Sequence, residues 1–201
     1  GAKAASFYDK LMAAQKILGM RLPVYVLITQ CDHIPGFQGF CRALPQSLQD
    51  GILGWSNPYS LEEGYASHWV DEAFQSLDKD LYRAQTKVLV NDISPQVQDG
   101  VFLFPGEVLR LKESLRAVLD NLFRKTVYRE PFYFRGLYFC GDAGKTRPPG
   151  QGPGKGQATD DKPPIFKDLS SRTLSGASRS FFFLKDLFEK KIFPEFRLGR
   201  P

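Results

Sequence analysis

Two histidines and three cysteines are all that this 201-residue chain offers a soft metal. The cysteines, Cys31, Cys41 and Cys140, are scattered, odd in number and form no CxxC pair, so neither a zinc knuckle nor a disulfide framework is expected. Free thiols in a reducing compartment are the expectation. The adjacent Cys31, Asp32 and His33 do not alter it, because neighbours in an extended chain point in different directions. His33 and His68 have no obvious partner, and neither is expected to act in catalysis. No run approaches the eighteen or so apolar residues of a membrane-spanning helix, and no leader peptide opens the chain. The chain begins with Gly1 in place of Met and reads as a piece of a longer protein.

A phosphate-binding loop is also missing. Gly144-Lys145-Thr146 has the closing residues of one, but the position of its first glycine is taken by Phe139. Gly141 stands too close to Gly144 to encircle a phosphate, and the Arg147-Pro148-Pro149-Gly150 that follows cannot begin a helix. A strand running into a flexible loop is the reading there. The net charge of +5 is equally unhelpful to a nucleic-acid function, because residues 1–141 are balanced and the basic excess lies in the linker and tail. No nucleic-acid partner is expected; an unrelated module with a basic tail would predict salt-sensitive DNA binding.

Phenylalanine is abundant, with 17 residues, and announces an aromatic core. Phe7, Leu11, Ala14 and Leu18 recur at helical spacing before Gly19. Leu22 to Thr29 is an unbroken apolar and β-branched run, which predicts a strand buried on both faces, as in a parallel sheet. After the Gly/Pro-rich stretch from Gly51 to Pro58, a helix carries Val70, Phe74, Leu77, Leu81 and Val88 on one face. Its early acids, Glu62-Glu63 and Asp71-Glu72, suit the start of a helix. Val101-Phe102-Leu103-Phe104, closed by Pro105-Gly106, reads as a second strand. Val108, Leu111, Leu115, Val118 and Leu122 read as a further helix, and Phe132 to Cys140 as a third strand. Arg135 on that strand is expected in a structural ion pair. A last helix from Ser180 to about Ile192 is predicted to bury Phe181, Leu184, Leu187 and Phe188. Helices alternating with strands argue for an α/β fold with a mostly parallel sheet, flanking helices and a C-terminal helix. The order resembles a partial P-loop-NTPase-like domain, the second half of a nucleotide-binding fold with its beginning missing.

Open α/β sheets bind ligands at the carboxyl ends of strands. The first strand ends in Thr29-Gln30-Cys31-Asp32. P-loop GTPases end the corresponding strand in Asn/Thr-Lys-x-Asp, whose aspartate accepts the guanine amino and ring N–H groups. Thr29, Gln30 and Asp32 are therefore the candidate base contacts, with Gln30 replacing the lysine that would lie over the base.

The segment from Arg21 to Phe37, containing Leu-Pro-Val-Tyr-Val-Leu-Ile-Thr-Gln-Cys-Asp-His-Ile-Pro-Gly-Phe, resembles the "LPVYVLLTKCDLLPGF" stretch of the IcmF/TssM proteins. These are inner-membrane components of type VI secretion systems. Gly54-Trp-Ser-Asn-Pro-Tyr59, Phe102-Leu-Phe-Pro-Gly-Glu107, Phe134-Arg-Gly-Leu-Tyr-Phe139 and Phe183 to Glu195 resemble further family stretches in the same order. The resemblance covers about residues 7–199 apart from the low-complexity loop. It implies residues 1–142 as the second half of a cytoplasmic NTPase-like domain, 143–164 as a flexible Gly/Pro-rich loop, and 165–201 as a C-terminal helical segment of that domain. In the family the P-loop and the Mg²⁺-binding aspartate come earlier, so no cofactor, metal or catalytic residue is expected within this chain. GTP or ATP is implied only for the longer parent. A scaffold at the cytoplasmic face of the bacterial inner membrane is implied, contacting membrane-complex and baseplate proteins and meeting the membrane only through parts outside this chain. The rival reading is half of a working GTPase or ATPase.

Overall fold

Residues 2–90, 95–124, 132–143 and 181–195 are described by a computed structural model. Gly144-Lys145-Thr146, nearly all of the 143–164 stretch and Ser180 lie outside the described residues.

Helix α1 spans Ala2–Leu18, and its buried side differs from the one the spacing predicts. Tyr8 and Gln15 are buried and Leu11 and Met12 pack on the core, whereas Phe7 and Leu18 are exposed. Two contacts fix this rotation. Tyr8 meets Phe132 edge-on at 5.3 Å between ring centroids. The Gln15 carboxamide oxygen accepts the Leu22 N–H at 2.9 Å, tying the helix to the next strand.

That strand, β1 (Pro23–Ile28), pairs in parallel with β3 (Tyr133–Phe139). The short β2 (Gly54–Ser56) lies antiparallel on the other side of β3, giving the order β1-β3-β2. The sheet is thus mixed, and its centre is β3, where Leu137, Tyr138 and Phe139 are all 1% exposed. β1 is half-buried along its whole length and is not the interior strand that its apolar run predicts. Among the described residues it is an edge strand, so helices and the C-terminal segment cover it only in part.

Between β1 and β2 lie α2 (Phe37–Ala43) and α3 (Gln46–Gln49), neither visible in the sequence pattern. The long α4 (Trp69–Leu89) buries all five residues of its expected face and carries Asp71 and Glu72 in its first turn. Helix α5 (Pro95–Leu109) occupies the stretch read as a strand from Val101 to Phe104. Among its buried residues are Val101, Phe104 and Val108, a helical spacing that a four-residue window cannot reveal.

Pro105, read as a stop, lies inside α5. A proline there removes the N–H that would bond the carbonyl four residues back, at Val101. The Gln85 carboxamide of α4 donates to that carbonyl at 2.8 Å, so the abandoned acceptor is satisfied and the helix continues. α5 also packs closely on α2: a Cβ at Gly100 would come within 2.8 Å of the Gly39 Cα and 2.9 Å of the Gly36 carbonyl oxygen. Helix α6 (Lys112–Phe123) follows and buries Leu119 and Phe123 but leaves Val118 exposed.

The C-terminal segment is not one helix. β4 (Gly141–Asp142) pairs antiparallel with β5 (Phe181–Phe182), then the chain turns at Phe183, which has φ 63°, and forms a π-helical turn at Leu187–Ile192. Strand geometry at β5 turns Phe181 outward and Phe182 inward. Phe182 and Phe183 both approach Phe37, at 5.9 and 6.4 Å, and the Phe183 N–H bonds the Gln49 carbonyl at 2.7 Å.

Candidate functional site

The chain leaves β1 through Thr29 and Gln30, both exposed. Gln30 adopts the left-handed conformation, φ 60° and ψ 30°, which costs a non-glycine residue about 1 kcal/mol or more. That turn reverses the chain into a single 3-10 turn over Cys31–His33. The backbone is held from the neighbouring strand: Cys31 N–H bonds the Cys140 carbonyl at 3.1 Å, and Cys140 N–H bonds the Ile28 carbonyl at 2.9 Å.

Asp32 is thereby placed just beyond the carboxyl end of β1, as the sequence predicts, with Thr29 and Gln30 beside it. All three line one cavity of about 420 Å³, shared with Leu27, Cys140, Asp142, Phe181, Leu184 and Phe188 among others. Its floor is the end of the sheet, and its apolar wall is the C-terminal segment.

The carboxylate of Asp32 is already half committed. Its Oδ1 accepts the Asp142 N–H at 3.0 Å, joining the β1 turn to β4. The Gln38 carboxamide donates to the Asp142 carbonyl at 2.6 Å from the other side. Gly141 makes this approach sterically feasible, since a Cβ there would lie 2.7 Å from the Asp32 nitrogen and 2.6 Å from the Phe37 ring. The remaining oxygen, Oδ2, lies 3.8 Å from His33 Nε2, whose side chain is 77% exposed. His68 likewise stands 3.7 Å from Glu72 Oε1, so both histidines have the carboxylate neighbours that the sequence did not show.

The thiols near this site are free and buried. Burial, with the nearby Cys140 sulfur, pushes Cys31 up to about 12, and burial also raises Cys41 and Cys140. At neutral pH they are thiols packed as small apolar groups, a poor state for a nucleophile.

Sequence reasoning missed Glu195. It stands on the side of the sheet away from the aromatic core and accepts hydrogen bonds from the Tyr25 hydroxyl and the Arg135 guanidinium, with Lys191 paired to it as well. Arg135 thus forms the structural ion pair expected of it, and both partners are largely covered, 12% and 19% exposed. Burial alone would raise the Glu195 carboxyl. Its bonds to Lys191, Tyr25 and Arg135 outweigh that and hold it below its ordinary range. Burial and the bond to Glu195 push the Tyr25 phenol well above its usual range. Beside this group, the Ser56 and Tyr138 hydroxyls share a hydrogen bond of 2.9 Å. Lys191, four residues earlier, is its one local partner among the described residues. The bonds that seat Glu195 on the sheet could not be read locally, because Arg135 and Tyr25 lie 60 and 170 residues earlier.

Among the described residues no helix is long and apolar enough to cross a membrane, and no three His, Cys, Asp or Glu side chains gather as metal ligands would. Comparison with known proteins brings in independent findings. A family model described as the IcmF-related N-terminal domain matches residues 1–201. This is the family's N-terminal domain, where the sequence reading placed the chain in the closing part of an NTPase-like domain. Over 142 residues the chain is 28% identical to "Type VI secretion system component TssM1" of Pseudomonas aeruginosa, an alignment covering 69% of this chain and 13% of that protein. The chain therefore corresponds to a small part of that relative's length. No solved structure matches it.

Proposed function

Since the chain belongs to the IcmF-related N-terminal domain family, we propose that it is an assembly domain of a type VI secretion component, making contacts within the apparatus and performing no chemistry of its own. The observation that carries this reading is the use made of the strand end. Asp32, the candidate base contact there, spends an oxygen on the Asp142 backbone, and the neighbouring thiols are buried. The likeness to a TssM1 protein supports placing the domain at the cytoplasmic face of a bacterial inner membrane, against membrane-complex and baseplate proteins. Membrane attachment then belongs to parts of the parent outside this chain, and nucleic acid has no role.

The test is deletion of this domain from its full-length parent in a bacterium with an active type VI system. Release of secreted effectors and co-purification of the membrane-complex proteins should both fail, while residues 1–201 alone turn over neither GTP nor ATP above a buffer control. Normal release without the domain overturns the assembly reading, and turnover lost on Lys145→Ala overturns the absence of chemistry.

One observation favours a second reading, in which the parent is a working GTPase. The cavity holds Thr29, Gln30 and Asp32 together where α/β sheets place ligands, with Asp32 Oδ2 outside the latch to Asp142. Guanine recognition then predicts that Asp32→Ala in the parent weakens GTP and spares ATP, by about 1.5–3 kcal/mol for a charged hydrogen-bond partner.

A further inference from the structure

The cavity at the end of β1 has an unusual charge for a chain of net +5. Its charged lining residues among those described are Asp32 and Asp142, with His33 as the only other ionisable side chain besides the Cys140 thiol. Among the described residues no lysine or arginine lines it. Arg42, which donates to the Ala143 carbonyl at 3.3 Å, is not among the lining residues. A nucleotide needs cationic or backbone donors for its phosphates, and the Gly-rich cradle that supplies them is absent here. The chemistry present is the opposite: a carboxylate oxygen, polar Thr29 and Gln30, and the rings of Phe181 and Phe188. Phe181 is 45% exposed, so one ring stands ready at the mouth.

We propose that this cavity receives an arginine side chain from a partner protein. The guanidinium is planar, always charged and rich in donors, and it stacks on aromatic rings while its stem rests on apolar surface. Asp32 Oδ2 accepts from it, Phe181 and Phe188 flank it, and Leu27 and Leu184 meet the methylenes. Arginine is enriched at the anchoring points of protein interfaces for these reasons. Asp32 then has two roles on two oxygens: Oδ1 braces β4, and Oδ2 faces the partner. This inference rests on the assembly reading, and it names one contact through which assembly occurs.

The probe is a blocked tripeptide, acetyl-Gly-Arg-Gly-amide, titrated into the 201-residue chain and followed by amide chemical shifts. The neutral citrulline tripeptide of the same shape is the control. Saturable shifts at Thr29–His33 and Gly141–Asp142 with arginine, and at least tenfold weaker ones with citrulline, are expected. Asp32→Asn keeps an oxygen for the Asp142 N–H but loses the charge, and should weaken the arginine probe on the order of tenfold. Equal responses to arginine and citrulline, or none at these residues at tens of millimolar, overturn the proposal. GTP displacing the probe, or shifting these residues while arginine does not, overturns it in favour of a base site. In the full-length parent, Asp32→Asn should reduce effector release. Normal release with Asp32→Asn but not with the domain deleted would sink the arginine contact and leave the assembly reading standing.

Discussion

The two faces of the small sheet are built from different physics. On one, Phe134, Leu137 and Phe139 of β3 with Val24, Val26 and Ile28 of β1 meet aromatic rings from three directions. Phe134 approaches Phe123 at 4.8 Å, Tyr65 at 5.7 Å and Trp55 at 6.1 Å. On the other, Tyr25, Arg135 and Tyr138 converge with Ser56 and Glu195 through hydrogen bonds and charge. The apolar face draws its strength from area removed from water, which neither titrates nor is screened by salt. The polar face holds the C-terminal segment in one place but adds less net energy, because each charge gives up hydration on pairing. Strength and specificity are divided between the faces. The cavity lies at the end of the sheet where the segment held by the polar face closes against it.

The largest effect should therefore come from the apolar face. Phe134→Ala removes the ring at the meeting point of three others and should cost about 3–5 kcal/mol. Urea unfolding followed by tryptophan fluorescence reads it directly, given that Trp55 and Trp69 are buried. A loss below about 1 kcal/mol would erase the contrast between the faces.

Glu195→Ala comes next, at about 1–3 kcal/mol, because Arg135 is left covered without its partner. Its pH signature sharpens the comparison. The Glu195 carboxyl is lower in the folded protein than its ordinary 4.5. Its contribution is fully present above that value and is lost as pH falls through the lowered folded value. Melting scans between pH 6 and 2 should show Glu195→Gln flattening the acid side of the stability curve, whereas Phe134→Ala shifts the whole curve downward.

At the strand end the expected effect is smaller again. Asp32→Ala should cost about 1 kcal/mol through the lost bond to the Asp142 N–H, and Asp32→Asn clearly less. Hydrogen exchange at the Asp142 amide separates them, with protection lost in the first variant and kept in the second. Smallest of all should be Asp71→Asn on α4. Hydrogen bonds from Arg116 and Lys112 hold the Asp71 carboxyl far below its usual range, but the group is on the surface and screened by salt. Its effect on the melting temperature should vanish in 1 M NaCl, where that of Phe134→Ala persists.

The family, the mixed helix-and-strand character and the helix α4 were legible in the sequence, since Val70, Phe74, Leu77, Leu81 and Val88 mark one face over many turns. β3 was legible too, as a long apolar run without a helical period. Val101 to Phe104 was not, because four apolar residues fit either period and Pro105 reads locally as an end. What keeps that helix intact is Gln85, which belongs to another element. β1 was found but its surroundings were misjudged: an apolar run states what a strand tolerates, not which neighbours arrive. Of the site, Asp32 was placed at the strand end from its position alone. Its partner Asp142, the close approach of Gly141, and Phe181, Leu184 and Phe188 as a cavity wall depend on contacts more than 100 residues away, and nothing local encodes them.

β1 and β3 lie side by side, yet Val26 and its partner Leu137 are 111 positions apart. At about 5–20 residues per second, the ribosome needs roughly 5–20 s between making the first strand and making its partner. Through that interval Val24, Val26 and Ile28 wait for β3, and so does Phe74 of α4, which meets Phe139 of that same strand edge-on at 6.4 Å. Synthesis order thus makes the pairing of β1 with β3 a late event, and until then the nascent chain carries an unpaired apolar stretch of the kind chaperones shield.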